Sequence, residues 1–378
     1  MNRLSRLAVI TSLGAVGSLV GPATAHADDE FPPLSIYGFA RLDVLADDTR
    51  LSDIAQPMYV PLAAPADHNG ELTMTPRLSR IGLSIDPWEL SSHTTGEGKL
   101  EVDFAGGSGT NAIRLRQAYA SINLQHLVEL LAGQTTDLIS PLFPSAQNDT
   151  QLLFAGNTGD RRPQIQLAVT PGDRLRVAVG LAPNGLVSRA DVDGDGQLDG
   201  TASMRPMLQW LIEYRQRMHG DVLRFGVWGH ASSSQLADGT SYTGSSAGMH
   251  LYVPVVRKMV WLGEAYFGTN LADIGGGIDQ GYNVMTHRTI RGAGGWFEIA
   301  TLPSEHHMLA LGASVDSARA ADLSSGDREL NNTFYGVVRY KPLTALQLGV
   351  EYVYWRTRFK DLGDSTANRF DLHLSVFF

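Results

Sequence analysis

The segment Asp191-Val-Asp-Gly-Asp-Gly-Gln-Leu-Asp199 carries the tightest chemical spacing in the chain. Counted from Asp191, oxygen donors fall at positions 1, 3, 5 and 9, with Gly196 at position 6 and the backbone carbonyl of Gln197 at position 7. That is the first three-quarters of an EF-hand-type loop, where hard Ca²⁺ collects about six to eight oxygens. Position 12 is Ala202 instead of a bidentate Glu, and no helical pattern flanks the turn. The expectation is a weak Ca²⁺ site of Asp191, Asp193, Asp195, Gln197 and Asp199 that orders its loop without catalysing anything. The plainer alternative is a solvated Asp/Gly loop.

A second set of residues is cationic. Arg41, Arg80, Arg114, Arg116, Arg174, Arg176, Arg205 and Arg224 take the polar positions of alternating segments, and Arg114/Arg116 and Arg174/Arg176 are consecutive positions of one face. A row of fixed guanidinium groups attracts anions and can grip a carboxylate or phosphate through two N–H groups. The competing reading is that these arginines pair with Asp43, Glu101, Asp103 and Glu213 and only neutralise a charged surface. Nucleophilic catalysis has thinner support. Gly363-Asp364-Ser365 echoes the start of a lipase-type motif, but no G-x-S-x-G elbow follows. His306-His307 and His26 lack a third ligand at metal spacing.

The elements that must position these groups are strands. Arg369 to Phe378 alternates Phe370, Leu372, Leu374, Val376 and Phe378 with Arg369, Asp371, His373, Ser375 and Phe377. Alternate side chains of a strand point to opposite faces, so one face is oily and the other wet. About ten such residues, tilted, cross an outer membrane. The same period of two runs through Leu34–Ala46, Lys99–Phe104, Gln164–Val169, Arg174–Val179, Arg205–Tyr214 and Ala345–Tyr354. Connections alternate: short at 170–173, 216–221, 254–258, 302–306 and 341–344, longer at 47–73, 137–161, 183–203, 232–242, 269–288, 317–331 and 360–366. The pattern predicts an all-β transmembrane antiparallel barrel of about sixteen strands, with short periplasmic turns and long extracellular loops. Trp88–Gly98 reads as a long polar turn. Trp210, Tyr214, Tyr252, Trp261, Trp296, Tyr340, Tyr352, Tyr354 and Trp355 fall near strand ends, as interfacial girdles do. A soluble sandwich or propeller would not explain the alternating connections.

The amino-terminus fits export. Arg3 and Arg6 precede the apolar run Leu7–Val20, and Ala25-His26-Ala27 is an A-x-A cleavage site, so 1–27 reads as a signal peptide and 28–378 as one barrel domain. That remainder carries 28 basic against 39 acidic residues, a net −11, which argues against nucleic acid as a partner. Without cysteine there is no disulfide framework. Segment 137–161 is greasy for a solvated loop (Leu138, Ile139, Pro141, Leu142, Phe143, Pro144, then Leu152 to Phe154). It is expected to fold inward as a constriction, with Asp137, Asp149 and Asp160 facing the arginine wall. Segment 183–202 is the Asp-rich outside loop.

The ordered series Ser35-Ile-Tyr-Gly-Phe-Ala-Arg-Leu-Asp43, Arg77-Leu-Ser-Arg-Ile-Gly-Leu83, Leu100-Glu-Val-Asp-Phe-Ala-Gly-Gly107, Ile113-Arg-Leu-Arg-Gln-Ala-Tyr119, Leu131-Ala-Gly-Gln-Thr135 and Arg162-Pro-Gln-Ile-Gln166 resembles the DcaP-like outer-membrane porins. The resemblance covers the first half well and the second half by pattern only. It implies a sixteen-stranded homotrimeric porin in the outer membrane of a Gram-negative bacterium, passing small anionic solutes, dicarboxylates included. Expected partners are the lipid bilayer, lipopolysaccharide and the barrel-insertion machinery, which would read the closing strand and its terminal Phe378. Other readings are a weakly selective general porin, a barrel hydrolase and a non-conducting scaffold barrel.

Overall fold

The computed structural model describes residues 33–62, 70–107, 111–146 and 150–378, so the expected signal peptide 1–27 and Asp149 lie outside the described residues. Strand β1 is Leu34–Asp47. β2 comes in two halves, Glu71–Thr75 and Arg80–Ser91, both paired with β1. β3 to β5 are Thr94–Gly106, Ala112–Leu124 and Val128–Thr136; β6 to β8 are Arg161–Val169, Leu175–Ala182 and Met207–Met218. β9 to β11 are Asp221–Gln235, Ser241–Val256 and Met259–Thr269; β12 to β14 are Arg291–Ser304, His307–Ala318 and Arg328–Leu343. β15 is Leu346–Phe359 and β16 is Gly363–Phe377. Each strand pairs antiparallel with the next, and β16 returns to β1 in the register Phe39↔Phe377 through Asp47↔Arg369. The described residues thus form a closed antiparallel barrel of sixteen strands.

Polarity is inverted relative to a soluble protein. Leu372 is 50% exposed on the outer face, whereas Asp103, Glu213 and Glu298 are fully buried on the inner one. No described helix is long and apolar enough to cross a membrane; the strands supply the apolar surface. A single closed sheet with charged residues inside has no dry second layer, which removes the sandwich alternative.

The break in β2 has a local cause. Pro76 cannot donate to the ladder, and Ser79 Oγ substitutes by accepting from the Arg41 N–H at 2.9 Å and donating to the Arg41 carbonyl at 3.2 Å.

Four expectations need correcting. The stretch Trp88–Gly98 is not a long turn: β2 runs to Ser91 and β3 restarts at Thr94, and the irregular look comes from a bulge between Ile85 and Trp88 that contains Pro87. The short–long alternation is not strict, since β15 and β16 are joined only by 360–362. Arg174 and Arg205 do not lie on strands. Arg174 ends the turn built around Gly172 (φ +68°) and is exposed, as is Arg205, which precedes Pro206 ahead of β8. The aromatic set splits: Trp261 and Tyr340 face outward, but Tyr252, Trp296 and Trp355 are buried on the inner face.

The outward stripe of β16 generates a test. Leu372→Arg places a guanidinium in the apolar belt and should destabilise the barrel by roughly 2–4 kcal/mol. Equilibrium urea unfolding in lipid vesicles measures it; a change within error would mean that Leu372 does not meet lipid.

Candidate functional site

Three loop segments enter the barrel because the wall gives their polar groups partners. Segment 137–146 crosses to the far side. The Leu142 N–H donates to Glu264 on β11 at 2.8 Å, and Ser140 Oγ bonds the same carboxylate. Ser145 donates to Glu298 on β12 through N–H and Oγ, both at 2.7 Å, and its carbonyl accepts from Arg339 on β14 at 2.6 Å. Further along, the Phe154 carbonyl accepts from Asn331 at 3.0 Å. Segment 51–60 docks beside it: Val60 N–H donates to Thr357 at 2.9 Å, and Asn331 donates to the Met58 carbonyl at 2.7 Å. Segment 270–281 closes the set, with Gly159 N–H bonded to the Ile274 carbonyl and Ile278 N–H to Asp316.

Apolar contact follows the same route. Leu51, Val60, Leu142, Leu152 and Ala155 pack on Leu262, Trp296, Tyr335, Val353 and Trp355. Leu138, Ile139, Leu271 and Ile274 pack on Leu211, Trp228 and Tyr266. This is why the inner face of β6 to β16 holds apolar and aromatic residues that a purely wet lumen would not. Neither cluster takes a residue from β1 to β5.

That remaining wall is charged. On β3, Glu101 and Asp103 point inward. Arg116 Nε reaches Glu101 at 2.8 Å and its Nη1 reaches Asp103 at 2.7 Å, while Arg114 Nη2 bonds Asp103 at 2.7 Å. Arg80 lies 3.4 Å and Lys99 3.6 Å from Glu101, which also accepts from Tyr37 Oη at 2.8 Å. Arg161, at the start of β6, lies 3.4 Å from Asp160 and is close enough to Arg114 and Arg116 to be repelled by them. Among the described residues, five cations therefore meet three carboxylates here. The fork geometry of guanidinium fixes this array, since each Arg–carboxylate contact orients both partners.

The other expected residues are distributed differently. Arg41 binds Asp43, Arg176 binds Glu129 at 3.2 Å, and Arg224 binds Glu213 at 3.0 Å, so these three face inward but away from the five-cation group. Asp137 does not face the arginine wall across a gap. It is buried at the base of its loop, tied to Arg162 at 2.7 Å and Gln209 at 2.7 Å. The sequence pattern does not single out Arg161, Arg339 or Arg369 as a candidate pore residue. The paired arginines at 161–162 hid Arg161 from an alternation argument, and Arg339 shares its face with apolar Tyr335 and Val337. Only Arg369 carried a signal, being polar in the closing strand. At Gly363-Asp364-Ser365, Asp364 is held by Arg356 and Arg358 at the start of β16.

In the Asp-rich loop, Asp191, Asp193 and Asp195 come together, with one oxygen of each within 4.8 Å of the others. Their oxygens accept from turn N–H groups: Asp195 and Gly196 donate to Asp191 at 3.0 Å, and Gln197 donates to Asp195 at 2.7 Å. Asp199 does not join them. It starts a one-turn helix, Asp199–Ala202, and accepts from Tyr242 Oη at 2.7 Å in a buried position, where desolvation raises its pKa.

No protein-family model matches the chain, nor does any curated protein sequence. Solved structures do match. The crystal structure of the outer membrane channel DcaP of Acinetobacter baumannii aligns with a TM-score of 0.76 at 18% identity, over 91% of this chain and 97% of that one. An anion-selective porin from Comamonas acidovorans aligns with a TM-score of 0.63 at 9% identity, over 92% and 100%. Salmonella typhi OmpF in complex with daunomycin aligns with 0.62 at 12%, over 92% and 98%. At such identities the likeness concerns the fold alone: the chain has the barrel fold of the outer-membrane porins, and the resemblance read in the sequence is matched at that level.

Segment 270–281 should respond to pH. Burial pushes Asp273 up to about 6, against the pull of Ser232, Arg162 and Asn184, and burial likewise pushes Asp279 up to about 6. A carboxyl with a raised folded-state pKa favours the docked loop while protonated. Its contribution is complete below about pH 4 and is lost as pH rises through about 6. Hydrogen exchange over 270–281, corrected for intrinsic rates, should be faster at pH 7.5 than at pH 5. Asp273→Asn with Asp279→Asn should shrink that difference.

Proposed function

We propose that this chain is a passive outer-membrane channel for small hydrophilic solutes that prefers anions, dicarboxylates among them. The observation that carries the reading is the division of the lumen. Docked loops pack on the inner face from β6 to β16, and the wall left outside the apolar clusters is the one where, among the described residues, Arg80, Lys99, Arg114, Arg116 and Arg161 meet Glu101, Asp103 and Asp160. A solute passing between loop and wall meets excess positive charge in a confined, partly desolvated space, where a fixed field acts strongly. Segment 137–160 sets the aperture on this reading. Arg114, Arg116 and Arg80 set selectivity. The chain works as a homotrimer among lipid and lipopolysaccharide, inserted through its closing strand after export by a cleaved signal peptide.

A weakly selective general channel is the second reading, favoured by the ion pairs that already engage Arg114 and Arg116. Reversal potentials in a planar bilayer under a salt gradient separate the two. The wild type should favour anions. Arg114→Ala with Arg116→Ala leaves three cations against three carboxylates and should bring the anion-to-cation permeability ratio close to unity. An unchanged ratio would make the arginines structural, and cation preference in the wild type would leave only the general channel. No conductance at all would revive the hydrolase or scaffold.

We also propose that the Asp191–Asp195 turn takes Ca²⁺ weakly, using three carboxylates and water, and steadies loop 183–206 where Asp193 accepts from the Ala237 N–H at 2.7 Å. Calorimetry with millimolar Ca²⁺ should show a weak site that Asp193→Asn removes; a flat titration ends the idea.

A further inference from the structure

The seam where β16 meets β1 holds a second group of metal-binding side chains, distant in type from the exposed aspartate turn. Asp43 on β1 and Asp371 and His373 on β16 are all buried on the inner face, with one donor atom of each within 4.8 Å of the others. The register explains the gathering: Asp43 lies opposite His373, and Asp371 and His373 are successive inward positions of one strand. Glu351 on β15 lies opposite Asp371. Two carboxylates thus meet one imidazole, with Glu351 beside Asp371 on the next strand.

Two features go beyond a cluster of acids. His373 is 4% exposed, yet its Nδ1 has no hydrogen-bond partner among the described residues; its Nε2 lies 3.3 Å from Gln347 Nε2. Asp371 is 5% exposed, and its Oδ1 is likewise unpartnered. Buried polar atoms in folded proteins nearly always have partners, and those that do not call for a cause such as an ion. Charge points the same way. Arg41 grips Asp43 through Nε at 2.8 Å and stays 3.8 Å from Asp371. Arg369 is committed to Asp47 at 2.6 Å, and Arg339 donates to the Ser145 carbonyl. Among the described residues, Arg41, Arg339 and Arg369 thus stand with four carboxylates, Asp43, Asp47, Glu351 and Asp371.

We propose that Asp43, Asp371 and His373 bind a divalent transition-metal ion of mixed nitrogen–oxygen preference, Zn²⁺ being the type case, and that the ion staples the closing seam of the barrel. Imidazole with carboxylates suits such ions better than Ca²⁺ or Mg²⁺. Zn²⁺ holds its donors at about 2.0–2.2 Å, so the three groups need a modest contraction by side-chain rotation. Arg41 Nε bonds both oxygens of Asp43, at 2.8 and 3.0 Å, and so fixes the orientation of this carboxylate, as carboxylate ligands are commonly oriented by an outer partner. This inference depends on the closed barrel and not on the channel reading.

The test uses untagged full-length protein folded in detergent, titrated with Co²⁺ alone and then with Zn²⁺ as competitor. One equivalent of Co²⁺ should bind, with an X-ray absorption shell that includes an imidazole nitrogen, and Zn²⁺ should displace it. Zn²⁺ should raise the temperature at which the barrel loses its heat-modified gel mobility, and a chelator should reverse the rise. His373→Gln, checked for folding by the same mobility, should weaken Co²⁺ by about tenfold or more. Absence of stoichiometric binding by the wild type, an all-oxygen shell, or unchanged affinity in a folded His373→Gln would each overturn the proposal. The Asp193→Asn variant should retain the Co²⁺ site; its loss there would place the metal in the aspartate turn instead.

Discussion

A strand in hydrocarbon has no water to satisfy its N–H and C=O groups, so every strand needs a partner on both sides. That constraint is met here by the return of β16 to β1, from Phe39↔Phe377 to Asp47↔Arg369. Once the sheet closes, the faces are no longer interchangeable. Phe370, Leu372, Leu374 and Val376 must all look outward, and Arg369, Asp371, His373 and Ser375 must all look inward. A slip of one residue would exchange the sets and put a guanidinium in lipid. The seam therefore fixes register for the whole barrel.

Closure creates an interior that has to be filled or wetted, and the chain does both. The long loops carry apolar runs that bury against inward Trp228, Trp296 and Trp355. Their backbone donors would be stranded by that burial, so Glu264, Glu298 and Asp316 project from the wall to accept them. An acceptor carboxylate surrounded by N–H and O–H donors tolerates burial far better than a bare one. These acids belong to loop docking and are chemically separate from Glu101 and Asp103, which meet arginines across strands.

The two halves of the lumen consequently differ in kind. On the filled half, polar groups are consumed by loop attachment. Around β3 and β4 they are consumed by each other, in an array of forked arginine contacts where, among the described residues, five cations meet three carboxylates. Such an array is rigid as well as charged, because Arg116 bridges Glu101 and Asp103 and so ties two inward positions of β3 to one of β4. A rigid charged wall opposite a docked loop is the physical basis of the selectivity proposed above.

The barrel was legible in the sequence because strand alternation is local: the closing decapeptide declares its faces residue by residue, and so do Leu34–Ala46 and Ala345–Tyr354. Inward orientation of Arg41, Arg80, Arg114, Arg116, Arg176 and Arg224 followed from the same parity. What parity cannot supply is where a strand begins: it extends to Arg174 and Arg205, and the strands start just after them. Nor could it distinguish an aromatic facing lipid from one facing a docked loop, since both read as apolar; Trp261 and Trp296 differ only in which side of the closed sheet they meet. The partners of Asp137, Asp199 and His373 were decided by tertiary structure alone. Each depends on a strand or loop distant in the chain that closure brings within a few ångströms, and no local period records such a meeting.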